Sequence, residues 1–459
     1  MRQYSMIKDP PGKALLFFAF PVILGNLFQQ FYQMADSVIV GQFLGEKALA
    51  AVGASQALTT VFVMAAIGSG MGACVVIAGY QGAGRPYQLR IAVRTALAGV
   101  LFFSIMISLA GFLTGRKILY ALQTPGDIFE NALGYLKIYF LGLPFLFLYN
   151  MLSSVFHALG DSRTPLYLLL VSSALNILGD LFLICSLQTG IAGTAAATVA
   201  AQAISVTAGL LLLKRALSQR YGMAYAVTLK KEKCKGLCFS LPVAKSMLKV
   251  ALPSVLQQSV VSIGGLLVQG VVNRFGTAAV AGYTAGSRIE SICIVPMIAM
   301  GNAMSTFTAQ NLGAERPERV RKGYRAAAGI IICLGAGIWI LLFLLQRPLL
   351  SFFLKEGIEG KAFLTGEEYL SFLMFFFVLI GFKAISDGVL RGAGDMMVFT
   401  IANLLNLGIR VAFACLMAGK LGIQAVWIAV PAGWAVNGMI SFLYYRSGKA
   451  FQKKILQEP

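Results

Sequence analysis

Residues 20–53, FPVILGNLFQQFYQMADSVIVGQFLGEKALAAVG, return in altered form at 252–283 as LPSVLQQSVVSIGGLLVQGVVNRFGTAAVAGY. Each copy opens on an apolar residue and a proline, Pro21 or Pro253, and turns at a glycine, Gly45 or Gly276. A spanning α-helix needs about 20 mostly apolar residues, and each copy holds one such run with the start of a second. Working outward, the same landmarks recur in the same order. Gly82-Ala83 with Arg85-Pro86 matches Gly313-Ala314 with Arg316-Pro317, and Gly160-Asp161 matches Gly394-Asp395. Asn176 and Asp180 match Asn406 and Arg410, and Gly190 matches Gly422.

The repeat therefore covers nearly the whole chain of 459 residues, of which 58% are hydrophobic and only 12% charged. Soluble chains are roughly a quarter charged, so a cytosolic enzyme, a disordered protein and a secreted disulfide scaffold are excluded early. Twelve apolar stretches can be marked, near 14–43, 54–79, 91–114, 132–157, 165–187, 191–213, 249–274, 280–309, 325–346, 367–390, 397–418 and 422–445. They are too long for barrel strands and lack strict alternation. The expected fold is an all-α integral membrane protein of twelve transmembrane helices in two six-helix bundles. Six spans is an even number, so both halves enter from the same side and are related by a pseudo-two-fold axis along the membrane normal. The expected organisation is an N-terminal bundle over 1–213, a basic cytoplasmic linker over 214–248, a C-terminal bundle over 249–446 and a basic tail over 447–459.

The formal net charge of +20 serves orientation in such a protein, not nucleic-acid binding. Most Lys and Arg side chains fall at the N-terminus, after even-numbered spans and in the tail, which predicts that both termini are cytoplasmic and that the protein is a multi-pass component of the cell (inner) membrane. The N-terminus leads into an apolar run with no small-residue cleavage site and reads as a first span. The seven cysteines are scattered, and Cys234 and Cys238 have no nearby histidine, so no zinc site is expected. The one histidine, His157, leaves little scope for a zinc protease or a His–Asp transferase.

Polar residues in spans need a reason. Asn26, Gln29, Gln30, Gln33, Asp36 and Ser37 fall on one face of span one, facing a watery cavity and not lipid. Span seven repeats the stripe with Gln258, Ser262, Gln269 and Asn273 but has no acid. Asn176 and Asp180 lie one turn apart in span five, and Thr198 and Gln202 lie in span six. Burial disfavours the charged form of a carboxylate, and a second carboxylate close by disfavours double ionisation. Such a pair can hold a proton, or a sodium ion among hard oxygens, and release either when access changes sides. The competing reading of Asp36 and Asp180 is interhelical hydrogen-bond glue. Arg288, Lys383 and Arg410 also lie in spans. Glu290 either lines the cavity or pairs with Lys383 or Arg410. Asp387 and Arg391, four apart, read as an ordinary helix pair. Gly68 and Gly72 read as close helix packing.

With these residues in place, the chain resembles the multidrug and toxic compound extrusion family. The resemblance is carried by Pro21 with Asp36 and VGQFLGEKALAAVG, by GAGRP, GDSRTP and LNILGD with GIAGTAAAT, and in the second half by FGTAAVAGYTAGSRIE, AQNLGAERPERVRKG and LRGAGD. It implies two bundles around a central cavity, rocker-switch exchange, and export of organic, often cationic, compounds against inward proton or sodium flow. It implies cation coupling at Asp36, Asn176, Asp180 and Thr198, with Tyr135 in the network, and bending of span one at Pro21. Gln29, Gln33, Gln258, Glu290, Arg288 and Arg410 are expected to line the cavity. The expected partners are small organic substrates and membrane lipids, without nucleic acid; the expected state is a monomer. No cofactor is expected beyond the coupling ion, with sodium held, if at all, by Asp36, Asn176, Asp180 and Thr198. The alternatives are a flippase for a lipid-linked saccharide, which would gather Arg288, Lys383 and Arg410 against phosphate, or an exporter of one metabolite.

Overall fold

The computed structural model describes residues 4–232, 239–354 and 360–451, and every regular element among them is helical. The helices are α1 (Pro11–Leu44), α2 (Glu46–Gly82), α3 (Pro86–Ala121), α4 (Gly126–Ala158), α5 (Arg163–Leu181), α6 (Ile191–Glu232), α7 (Leu241–Val272), α8 (Thr277–Gly313), α9 (Pro317–Phe353), α10 (Lys361–Leu373), α11 (Phe377–Gly392), α12 (Met396–Leu421) and α13 (Gln424–Arg446). A 3₁₀ turn, Met374–Phe376, joins α10 and α11 into one span, so the described residues contain 12 helical spans long and apolar enough to cross a membrane. The tenth expected stretch is thus two helices in series. The expected linker is helical at both ends, because α6 runs on to Glu232 and α7 begins at Leu241. Residues 233–238, with Cys234 and Cys238, and the tail beyond Phe451 lie outside the described residues.

Gly45 and Gly276 adopt φ of 81° and 89°, the left-handed region that a side chain strains to enter. Each lets the chain leave one span and start the next within a few residues, which explains why this glycine recurs in the repeat.

The chain forms two compact units. The first gathers the described residues of Leu24–Val255; the second gathers those of Met1–Ile23 and Leu256–Leu456. The units therefore do not change at 213/214 and 248/249, where the repeat would place the boundaries. They change inside α1 and inside α7. The cause is apolar burial. Ala14, Leu15, Phe18, Ala19 and Val22 of α1 sit in the same buried core as Met300, Ala303, Met304 and Phe307 of α8. The N-terminal segment is also tied there: Asn311 Nδ2 donates to the Met6 carbonyl at 3.1 Å, and the Arg319 guanidinium donates to the Asp9 carbonyl. Pro21 and Pro253 each stand two residues before the change of unit. Both helices run through their proline, which has no N–H and leaves a preceding carbonyl without its helical partner.

In the first unit α2 packs on α3 and α4, α4 also on α6, and α5 on α6. In the second, α8 packs on α9, α10 and α11, α11 also on α13, and α12 on α13. Close approach in the first unit depends on glycine. A Cβ added to Gly68 would stand 2.5 Å from Val255 Cγ2 and 2.8 Å from the Val255 backbone nitrogen. One added to Gly72 would stand 2.5 Å from the Met247 carbonyl oxygen. Backbone atoms cannot swing aside, so Gly72→Val is expected to destabilise the protein by about 1–3 kcal/mol, the usual range for overpacking. The check is the melting temperature of the purified variant, which must fall.

Candidate cation-coupling site

The first unit brings four helices to one polar cluster. On α1, Tyr32 and Asp36 are one turn apart and share a face. On α5, Asn176 and Asp180 do the same, and α5 gives way to a π-type turn, Phe182–Ser186, directly after Leu181. Such turns are frequent at functional sites. On α6, the Thr198 hydroxyl lies 3.0 Å from the Thr194 carbonyl, and α4 supplies Tyr135.

The Asn176 side chain joins the parts. With its oxygen toward α6, that oxygen takes the Thr198 hydroxyl at 3.0 Å and the Thr198 backbone N–H at 3.1 Å. Its nitrogen then donates to Asp180 Oδ2 at 3.2 Å and to the Tyr32 hydroxyl at 2.9 Å. This orientation gives each end of the amide a complementary partner. Tyr32 also stands beside Thr198, and Tyr135 lies near enough to both acids to feel their charge. The Asp36 and Asp180 carboxyl groups are within hydrogen-bonding reach of one another. Among the described residues, Asp36 Oδ1 and Asp180 Oδ1 are buried and take no N–H or O–H donor. A carboxylate oxygen buried without a donor is costly. Two carboxyl groups in contact relieve that cost by sharing a proton or by binding a cation.

All five residues expected at the coupling site, Asp36, Asn176, Asp180, Thr198 and Tyr135, thus lie together. Tyr32 joins them and was missed, although its i, i+4 spacing to Asp36 was the available signal. Pro21 lies on α1 in the segment that belongs to the second unit. Gln29 and Gln33 are exposed on α1, and Gln258 is half-buried on α7.

The second unit resolves the other span charges. Glu290 accepts the Tyr369 hydroxyl at 2.5 Å, and Arg410 lies near enough to act on the charge of Glu290 and on Tyr283. Lys383 goes elsewhere: its Nζ lies 2.9 Å from Asp387 Oδ2 and 3.2 Å from Asn403 Oδ1. The expected Asp387–Arg391 pair is therefore replaced. Both cations are one turn from Asp387, but Arg391 reaches across to Ser305 at 3.3 Å and Asn302 at 2.8 Å on α8. Arg288 is exposed. The three span cations do not gather at one point.

The described residues thus form a polytopic helical protein with a small polar cluster among the spans of its first unit. The chain belongs to the MatE family, whose model matches residues 21–182 and 253–416. It is 29% identical to the probable multidrug resistance protein YpnP of Bacillus subtilis, covering 100% of each chain. It is 24% identical to the probable multidrug resistance protein NorM of Thermotoga maritima, over 97% of this chain and 94% of that one. Its fold is that of a MOP superfamily transporter from Pyrococcus furiosus, with a TM-score of 0.86, 23% identity and 99% coverage of both chains.

Proposed function

We propose that the protein is a secondary active exporter of organic, cationic or amphipathic compounds, driven by inward proton flow through the Asp36–Asp180 pair. The observation that carries the choice of proton is the pairing of two carboxyl groups within hydrogen-bonding reach of one another, with one oxygen of each buried and without a donor. A single proton shared between them removes one charge and supplies the missing donor. The names of the relatives support drug-like cargo, and the basic residues after even spans support cytoplasmic termini in the cell membrane. The protein works as a monomer and alternates access by rocking of its two units, with α1 bending at Pro21. Proton and substrate are exchanged because each favours a different state.

The flippase reading loses its footing because Lys383 and Arg410 keep separate partners and Arg288 is exposed.

The test is uptake of a fluorescent organic cation into inverted vesicles, with proton and sodium gradients imposed separately. A proton gradient is expected to drive uptake and a sodium gradient to leave it at background; the reverse result would overturn the reading. Tyr32→Phe removes one hydroxyl from the network, worth about 0.5–1.5 kcal/mol. It is expected to change the proton concentration for half-maximal uptake by up to about tenfold without abolishing transport, since tenfold corresponds to about 1.4 kcal/mol. A pH titration of uptake checks this.

A further inference from the structure

The buried acids of the two units are treated differently. Among the described residues, no Lys or Arg forms an ion pair with Asp36 or Asp180. In the second unit the chain places a cation near both acids buried at span depth among the described residues. Arg410, at the repeat position of Asp180, lies near enough to Glu290 to act on its charge. Asp387 has Lys383, with side-chain exposures of only 7% and 14%.

The surroundings of Lys383 are those of a cation site. Asp387 Oδ2 lies 2.9 Å from Nζ, and Asn403 Oδ1 lies 3.2 Å from it. The Ser441 hydroxyl holds the other Asp387 oxygen at 2.8 Å and lies 3.3 Å from Asn437 Oδ1. Asn403 Nδ2 donates to the Phe399 carbonyl at 2.8 Å and approaches Asp387 Oδ2 at 3.4 Å, which fixes its oxygen toward Nζ. Helices α11, α12 and α13 each contribute, and α13 comes close at a glycine: a Cβ on Gly438 would stand 3.4 Å from Lys383 Cβ. Distances of 2.9 and 3.2 Å are those of N–H···O bonds, so the oxygens are spaced for an ammonium group.

We propose that the Lys383 ammonium fills an oxygen-lined cation site in the second unit as a tethered counter-ion, so that exchangeable cation binding belongs to the Asp36–Asp180 pair alone. A cation fixed to the chain neutralises Asp387 in every state of the cycle and cannot be released to either side. The proposal rests on cation coupling at Asp36–Asp180, but its first test reads binding and not export.

The test uses the full-length protein in detergent, in an Asp36→Asn background that silences the first site. Melting temperatures are compared in ammonium chloride and in tetramethylammonium chloride, which matches the charge but has no N–H donor. The parent is expected to melt alike in both salts. Lys383→Ala is expected to lose stability in tetramethylammonium and recover in ammonium, and a further Asp387→Asn to remove that recovery. A flat ammonium response in folded, monodisperse Lys383→Ala would overturn the proposal. So would an equal response in the parent. If Lys383→Ala does not fold, the neutral pair Lys383→Met with Asp387→Leu replaces it, in a background with Asp36 intact. Its proton-to-substrate ratio in proteoliposomes is expected to equal that of the wild type, and a lower ratio overturns the proposal. Failure of the coupling reading is visible separately, as a wild type that moves no proton with its substrate.

Discussion

Asp36→Asn is expected to reduce proton-driven export to the level of empty vesicles while leaving the protein folded. The carboxyl group is the part of Asp36 that can gain and lose a proton, and an amide of nearly the same shape cannot. Asn at this position can still donate to Asp180, so the cluster keeps a hydrogen bond where two carboxyl groups now touch. Removing a group whose charge is hard to bury does not cost packing. The melting temperature is therefore expected to stay within about 4 °C, the shift that ~1 kcal/mol produces in domains of ~150–250 residues. Transport and stability must be measured on the same preparation. Wild-type export by the variant under an imposed proton gradient would remove Asp36 from the mechanism, and a collapsed melting temperature would make it a structural residue.

Asp387→Ala is expected to be the most destabilising single change among the span charges. It leaves the Lys383 ammonium buried with only Asn403 Oδ1 to accept from it. Breaking a buried pair by removing one partner costs about 3–5 kcal/mol, whereas replacing both partners with apolar groups is often neutral or stabilising. At 2–4 °C per kcal/mol, the single variant is expected to melt roughly 6–20 °C below the parent. Adding Lys383→Met to Asp387→Leu is expected to restore most of that loss. Additive losses in the double variant, measured in one buffer, would show that the two side chains do not act on each other.

Much of this was legible in the chain. The spans and the repeat were readable because a bilayer sets a length that apolar runs either meet or miss. Asp36, Asn176, Asp180 and Thr198 were readable as polar groups at helical spacing in otherwise apolar spans. Tyr32 is not legible because a tyrosine in a membrane helix is ordinarily amphipathic packing, and only its bond to Asn176 and its place beside Thr198 give it a polar role. The partner of Asp387 was not legible. Lys383 and Arg391 stand at the same spacing on either side, and the choice is made by Asn403 and by Ser305 and Asn302 on other helices. Nor did the repeat reveal where the compact units divide, since that depends on which core receives Leu15 and Phe18.

That division bears on biogenesis. Helices α2 to α6 leave the ribosome with the Gly68 and Gly72 face of α2 uncovered, because the residues that meet it, Met247, Ala251 and Val255, are synthesised later. The second unit in turn takes up a segment, the residues before Leu24, that is synthesised ahead of α2 to α6. Neither unit closes its core from one half of the repeat alone, so the early helices pass through a stage in which part of their packing surface is still uncovered.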